Sequence, residues 1–372
     1  LEKALNVFLN SEIKIPAGKI KKPVIIYGAG NLGKMAKNLF DYLGIKFNYV
    51  VDKNAKKHKN DDFWKNTKII SPEEVREKDK KDCLLVICIV SLPLIALKKS
   101  LEKQNWKNVA FFYDLGDFYC KRHPISNGWF LGKLDKKEKI IIRKIFFNLF
   151  DDISRLHYLQ FLAWRKCRVE ILSKEIEKNK KNRFLIPEII SLLNKKEVFI
   201  DGGAHEGLIS EKFFKIAGKE AAIYAIEPDE KNLKILKKRM RNFADAKIIK
   251  YALSDKNGKG KFYGNFNFAC KLGKKGSNWV KTVTLDSLNI PATFIKMHLE
   301  GGELKALKGS LKIIKKFRPI LAVTIYHNSD GVWKIPIFLM KNAKDYNFYV
   351  RSDSWRGTGV VFYAIPKERY FK

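Results

Sequence analysis

What the chain lacks narrows its options. No apolar run approaches the ~20 residues that a membrane-spanning helix needs. The longest mostly apolar stretch, from Leu84 to Leu97, is interrupted by Ser91 and Pro93. Cysteine is scarce and unpatterned: Cys83, Cys88, Cys120, Cys167 and Cys270 include no CxxC pair, and their odd number argues against a disulfide framework. Cys83 and Cys88 sit in an apolar run and read as buried core thiols. Nothing at the N-terminus resembles a signal peptide. These absences point to a reduced, cytoplasmic protein.

Arginine is the other shortage. Of 74 basic residues only 13 are Arg and 61 are Lys, against 39 acidic ones, for a net charge of +35. Such an excess suggests a nucleic-acid or anionic-membrane surface. Arginine, however, is the residue that grips phosphates and base edges bidentately, and the lysines here are spread over almost every segment. A lysine-biased proteome explains them better, and nucleic acid is not expected as a partner. Peripheral contact with an anionic membrane remains the alternative.

With 372 residues, 46% of them hydrophobic, the chain is globular and long enough for two domains. Strand and helix patterns alternate first over residues 1–120, with strands expected at Pro23–Tyr27, Phe47–Val51, Leu84–Ile89 and Val109–Tyr113. Residues 121–182 have helical spacing instead, over Lys136–Phe150 and Ser154–Glu177, and read as a helical connector ending in the charged run Lys174–Arg183. In that connector His157, Tyr158 and Phe161 fit a helical core face. Alternation resumes over 183–372, with strands expected at Val198–Asp201, Ile223–Glu227, Ile248–Ala252, Phe294–Leu299 and Ile320–Tyr326. Phe348–Arg351 and Val360–Ile365 are joined by a short glycine-containing segment and should pair antiparallel. The expected fold is α/β: a doubly wound, mostly parallel sheet with a terminal antiparallel hairpin, preceded by a smaller Rossmann-like domain.

Three segments of the C-terminal part carry chemistry. Asp201-Gly-Gly-Ala-His205 follows a buried strand and opens a helix, where open α/β sheets bind ligands and where glycine lets a ligand approach the backbone. Glu227, followed by Pro228, ends the next strand and can accept from both hydroxyls of a ribose. Ser254 and Asp255 end the expected third strand, where an adenine amine would find an acceptor. In that order, these segments describe a nucleoside pocket.

The residues from about 183 to 366 resemble the FkbM family of methyltransferases. The resemblance is carried by Phe199-Ile-Asp-Gly-Gly-Ala204, Ala225-Ile-Glu-Pro-Asp229, Ala252-Leu-Ser-Asp255, Thr284-Leu-Asp286, Phe294-Ile-Lys-Met297, Leu299-Glu-Gly301, Glu303-Leu-Lys-Ala-Leu-Lys-Gly309 and Arg318-Pro319. Tyr326-His-Asn328 and Trp333-Lys-Ile-Pro336 are similar to its long, two-domain subgroup. The resemblance implies a class I methyltransferase fold, S-adenosylmethionine as cofactor and O-methylation of a sugar or glycoconjugate precursor of a surface polysaccharide. It places Asp201, Gly202, Gly203, Ala204 and His205 at the amino-acid end of the cofactor, Glu227 and Pro228 at the ribose, and Ser254 and Asp255 at the adenine. The family usually has Asp where this chain has His298. A histidine beside the methyl position could act as a base toward a hydroxyl, with Glu300 or Glu303 orienting it; a base elsewhere, such as His327, is the alternative, and Glu303 and His327 are also candidates for binding the acceptor. The same departure also fits a non-catalytic scaffold that keeps the fold. A nucleic-acid methyltransferase is a further rival, weakened because no Asn/Asp-Pro-Pro-aromatic signature is present.

Two readings remain. Gly28-Ala-Gly-Asn-Leu-Gly33, with Asp52 19 residues on, resembles a dinucleotide turn, but the domain is short for two βαβαβ halves. A nucleotide or nucleotide-sugar site at Gly28, Gly30, Gly33 and Asp52, or a scaffold with an empty turn, are the alternatives. No two histidines have zinc-type local spacing and a thiolate set is absent, so no metal is expected.

Overall fold

The computed structural model describes residues 1–11, 18–58, 60–119, 122, 130–173, 176, 183–264, 270–273, 276 and 278–371. They form two compact units: Leu1–Ser11, Lys133–Asn265 and Cys270–Lys372 make the larger, and Glu12–Gly132 with Phe266–Ala269 the smaller.

In the smaller unit, β1 (Val24–Tyr27), β2 (Phe47–Val51), β3 (Ile69–Ile70), β4 (Leu84–Ile87) and β5 (Val109–Phe111) form one sheet in the order β3-β2-β1-β4-β5. All its pairings are parallel. A parallel sheet buried on both faces needs apolar residues at every position of its central strand, and β1 supplies them. Val24 and Ile26 pack with Ala36, Leu39 and Phe40 of helix Asn31–Leu43. Ile25 and Tyr27 pack on the opposite face with Leu97 and Leu101 of helix Leu94–Lys103. Cys83 and Cys88 are buried, as their apolar run predicts. Strand β3 was not expected, because two residues carry no period. Cys120 and most of the charged run 174–183 lie outside the described residues.

The larger unit continues with β6 (Val198–Gly202), β7 (Ala222–Ile226), β8 (Ala246–Ile249), β9 (Ala252–Leu253), β10 (Gly258–Tyr263), β11 (Lys271–Leu272), β12 (Asn278–Val283), β13 (Phe294–Met297), β14 (Ile320–Thr324), β15 (Tyr346–Ser352) and β16 (Val360–Pro366). Seven of these build the main sheet in the order β15-β16-β14-β13-β6-β7-β8. Only β16 runs against its neighbours in it, which is the expected terminal hairpin. Strand order reverses between β6 and β13, so their carboxyl ends form the crevice where such sheets bind ligands. Phe199, Phe213 and Phe294 stack beneath that crevice in the core.

One expectation needs correction. The third main-sheet strand ends at Ile249, not Ala252. Tyr251 N donates to Ile249 O at 3.0 Å, a three-residue turn that takes the chain out of the sheet. Ala252 and Leu253 then pair with Thr282 and Val283 in a second, four-stranded sheet. The helical segment packs against a neighbour: helices Lys136–Phe147 and Asp152–Cys167 group with the larger unit, together with Glu2–Asn10. Asp152–Cys167 buries Tyr158, Leu159, Phe161 and Leu162. Ser154 Oγ accepts from Val350 N at 3.0 Å, and Arg351 pairs with Asp151 at 2.8 Å, sewing that helix to β15.

Glu197, just before β6, is fully buried and accepts from both Arg369 terminal nitrogens at 3.0 and 2.9 Å. Removing one partner of a buried ion pair leaves the other charge uncompensated. Arg369→Met should therefore lower the stability of the protein by about 3–5 kcal/mol. A urea denaturation midpoint unchanged from the parent protein would contradict this.

Candidate active site

The crevice begins with a buried charge. Asp201, at the tip of β6, is inaccessible to solvent; its Oδ1 lies 2.7 Å from Lys296 Nζ of β13, and its Oδ2 accepts from Ser210 Oγ at 2.7 Å. Lys296 Nζ also donates to Gly203 O at 2.8 Å. The expectation that the Asp201 carboxylate reaches a ligand is therefore corrected: both its oxygens are used inside the fold. The backbone of this segment is pinned as well, with Gly203 N and Ala204 N both donating to Ile226 O at 3.0 Å. His298 N donates to Gly202 O at 3.0 Å, which continues the β6–β13 pairing past the last strand residue. The two turns are so close that a Cβ on Gly203, which has φ +70°, would lie 2.1 Å from His298 O. Only glycine fits there.

Glu227, just after β7, is 5% exposed. Its Oε2 accepts from His205 N at 2.8 Å and its Oε1 from Asp229 N at 2.9 Å. Burial raises its pKa, against these backbone donors, which lower it. Asn232 Nδ2 adds a third, longer donor to Oε1 at 3.4 Å; a carboxylate offers about four lone-pair sites, so one remains free and the long contact can yield to a second hydroxyl donor. Pro228 separates Glu227 from the helix capped by Asp229. His205 adopts φ +53° between Ala204 and the left-handed Gly207, and burial lowers its pKa.

Ser254 and Asp255 follow β9 rather than a main-sheet strand, and Ser254 Oγ donates to Asp255 Oδ1 at 3.1 Å. Leu253 is the member of this segment placed firmly at the crevice, because a Cβ on Gly202 would meet its Cδ1 at 2.8 Å. It forms an apolar wall against the β6 turn.

At the tips of β13 and β14 the histidines and carboxylates converge. Glu303 is buried and accepts from Leu299 N and Gly301 N, each at 3.0 Å, from Thr324 Oγ1 at 2.8 Å, and pairs with His327 Nδ1 at 2.6 Å. Burial pushes its carboxyl up, but His327 and these donors outweigh that and hold it below the ordinary value. Glu303 is thus fully engaged and does not bind an acceptor as expected; it orients His327. His327 is buried, with Nε2 3.4 Å from Glu300 Oε1. Glu300 Oε1 also lies 3.0 Å from His298 Nε2. The Glu300 side chain is turned there by left-handed backbone at Glu300 and Gly301, φ +49° and +103°.

The two imidazoles stack with centroids 5.0 Å apart and divide the charge unequally. Burial drives the His298 pKa down to about 4, with Arg183 adding to the effect. His327 is buried too, yet Glu300 and Glu303 pull its pKa well above the ordinary value. Near neutral pH the pair therefore holds a neutral His298 beside a charged His327. Tyr326 OH lies 3.3 Å from His298 Nε2 and accepts from Arg183 Nη2 at 2.8 Å. Arg165, from helix Asp152–Cys167, in turn donates to the Tyr326 carbonyl.

Residues 201–350 match the model of the methyltransferase FkbM domain. That segment is an FkbM methyltransferase domain. The whole chain is similar to a methyltransferase FkbM from Methylobacillus flagellatus KT, with TM-score 0.63 and 18% identity over 92% of this chain and 90% of that one. Fainter likenesses reach a SAM-dependent methyltransferase from Aquifex aeolicus, with TM-score 0.32 and 14% identity over 57% of this chain and 98% of that one. The fibrillarin of Aeropyrum pernix, with natively bound S-adenosyl-L-methionine, gives TM-score 0.31 and 11% identity over 47% and 68%. No curated protein matches the sequence.

The cofactor of this FkbM domain is S-adenosylmethionine, and the crevice fits it. A side chain on Gly203 would fill the cradle at the β6 tip, and Glu227 keeps acceptor capacity where hydroxyls would lie. Sequence reasoning gave no role to Lys296, Tyr326, Arg183 or Lys271. A signal for Lys296 exists, since it is a charge inside the apolar run Phe294–Met297. Lys271 is buried near Glu300 and Glu303, and burial lowers its pKa to about 8 against their pull; nothing local in the sequence marks it.

The smaller unit repeats part of this construction. Gly28 has φ +109°, and a Cβ on Gly33 would lie 2.0 Å from Gly28 O, so helix and turn pack without side chains between them. Gly30 caps helix Asn31–Leu43. Asp52 Oδ2 accepts from Ala29 N at 2.7 Å and Oδ1 from Asn54 N at 2.8 Å, as Glu227 does from His205 and Asp229. Trp64 Nε1 donates to Ala29 O at 3.0 Å and closes on the turn.

Glu227→Ala should weaken binding of S-adenosylhomocysteine by about 100-fold, the loss of two hydrogen bonds to a charged acceptor. Isothermal titration checks it; an affinity within threefold of the parent protein would contradict the placement of a ribose at Glu227.

Proposed function

We propose that the protein methylates a hydroxyl group of a sugar or glycoconjugate precursor. The observation that carries this reading is the position of His298 at the tip of β13, 3.0 Å from Glu300 and adjoining the glycine turn of β6. Gly203, Ala204 and His205 would take the amino-acid end of the cofactor, Glu227 the ribose, and Leu253, Ser254 and Asp255 the adenine. When bound, S-adenosylmethionine supplies an electrophilic methyl group on a sulfonium.

Transfer of that methyl is an in-line displacement, so placement of the acceptor contributes most of what the protein can give. The hydroxyl must also lose its proton as the new oxygen–carbon bond forms and the sulfur–carbon bond breaks. His298 accepts that proton at Nδ1: its Nε2, 3.0 Å from Glu300 Oε1, carries its hydrogen toward the carboxylate, and Glu300 stabilises the imidazolium that results. Tyr326 OH, fixed by Arg183, meets the same Nε2 that faces Glu300. Their donors, with Lys271, favour an acceptor rich in hydroxyls over an apolar one.

The test is incubation with methyl-labelled cofactor and a panel of nucleotide sugars, glycosides, RNA and peptide. Label is expected on a sugar oxygen as a methyl ether, and incorporation into RNA or peptide alone would overturn the acceptor class. In chelator-treated protein, His298→Ala should reduce kcat/KM by 10²–10⁴-fold, on the order of a lost general base, while binding of S-adenosylhomocysteine stays within a few-fold. An undiminished rate would remove His298 from the chemistry.

A further inference from the structure

Three lone-pair donors meet where β13 and β14 end. His298 Nε2, Glu300 Oε1 and His327 Nε2 all lie within 4.8 Å of one another. Their separations are informative. Ligands about 2.1 Å from one metal ion stand about 3.0 Å apart at an octahedral right angle and about 3.4 Å apart at a tetrahedral one. The observed distances from Glu300 Oε1 are 3.0 Å to His298 Nε2 and 3.4 Å to His327 Nε2.

The surroundings match as well. A metal-binding histidine commonly donates its other ring nitrogen to a carboxylate, which fixes the ring and leaves the outward nitrogen as ligand. His327 does this: Nδ1 is paired with the buried Glu303 at 2.6 Å, and Glu303 is itself fixed by two backbone amides and Thr324. The outward Nε2 of His327 is buried and makes no hydrogen bond of acceptable geometry. A lone pair there would face a carboxylate oxygen, an arrangement that calls for a cation between them. A proton can serve, and a metal ion fits the same place. His298 and Glu300 are partly exposed, about a quarter of each side chain, so the site is open to solvent.

We propose that His298, Glu300 and His327 form a binding site for one divalent first-row transition-metal ion, with Glu303 positioning His327 from behind. Two imidazoles and one carboxylate suit zinc, iron, cobalt or nickel better than magnesium or calcium, which favour all-oxygen sites. Three protein ligands leave at least one position open, as in sites where an ion meets a substrate oxygen. Spacing along the sequence argues against a metal because His327 follows the strand after the one carrying His298 and Glu300, so no local zinc-type pattern exists. Ion and proton compete for the same nitrogen lone pairs, so the metal-loaded and metal-free forms differ at His298. The inference concerns ion binding alone and does not depend on the acceptor or on methyl transfer.

The experiment uses the full chain, stripped with a chelator and dialysed, then titrated with cobalt(II) while visible absorption is recorded. One equivalent should bind, with d–d bands of a four- or five-coordinate nitrogen–oxygen site, and zinc(II) should displace it. His327→Ala and His298→Gln should each abolish the bands, and Glu303→Gln should weaken binding by 10–100-fold. Retained binding of S-adenosylhomocysteine by each variant shows that the fold is intact; His298→Gln, at a partly exposed position, covers the case in which His327→Ala fails to fold. The absence of saturable cobalt binding below 1 mM in the parent protein, roughly 4 kcal/mol or less of affinity, would overturn the proposal. So would the same cobalt spectrum and affinity in the parent and His298→Gln. Neither result touches the methyl-transfer reading, which is measured in chelator-treated protein.

Discussion

The crevice depends on one buried ion pair. Lys296 and Asp201 meet at 2.7 Å with side chains 3% and 0% exposed. A buried pair of this kind is weak evidence for stability, because desolvation offsets much of its Coulombic attraction. Its effect here is geometric. The lysine ammonium also binds the Gly203 carbonyl, so one side chain of β13 sets the path of the turn leaving β6. That turn approaches the His298 carbonyl so closely that no side chain fits between them. The backbone that receives the cofactor and the imidazole next to it are thus fixed by the same contact.

A second constraint governs the charges beyond that turn. Two histidines stacked at 5.0 Å cannot both carry a proton cheaply, and their titrations belong to the pair. The fold breaks the symmetry by surrounding them differently. Two carboxylates bracket His327, while Arg183 and an apolar setting lie on the His298 side. The Phe184 ring, 5.9 Å from the His298 ring, supplies part of that setting. The asymmetry originates in Glu303, whose four hydrogen-bonding partners leave it no option but to face His327.

Much of this was legible in the sequence, for reasons that also mark the limits. The strands of both units were readable because buried parallel strands are continuous apolar runs, and the terminal hairpin because a glycine-containing segment joins two such runs. Asp201, Glu227 and the glycines were recognisable because chemistry at strand tips follows topology. Their roles were less so. Asp201 proved buried because its partner, Lys296, arrives from a strand 95 positions later, and nothing near Asp201 foretells it. The third strand was misplaced because a three-residue turn at Tyr251 has no apolar signature. The β10–β12 pairing was not expected because β10 opens Gly-Lys-Gly-Lys and has apolar residues only at its end. Convergence of His298, Glu300 and His327 is a property of neighbouring strands, invisible to spacing along one segment.

The order in which the chain builds its units has an engineering consequence. Helix Glu2–Asn10 belongs to the larger unit, and Asn10 Oδ1 accepts from Lys139 Nζ at 2.8 Å, while Asn6 is bound by Arg143. The residues where the chain leaves the larger unit are thus tethered near those where it returns. In architectural terms the smaller α/β body is a guest spliced into a host that is continuous in space but interrupted in sequence. Excising the guest and bridging residues 11 and 133 with a short flexible linker preserves the host's core, whereas an N-terminal truncation strips away Leu5 and Leu9, which are buried in it.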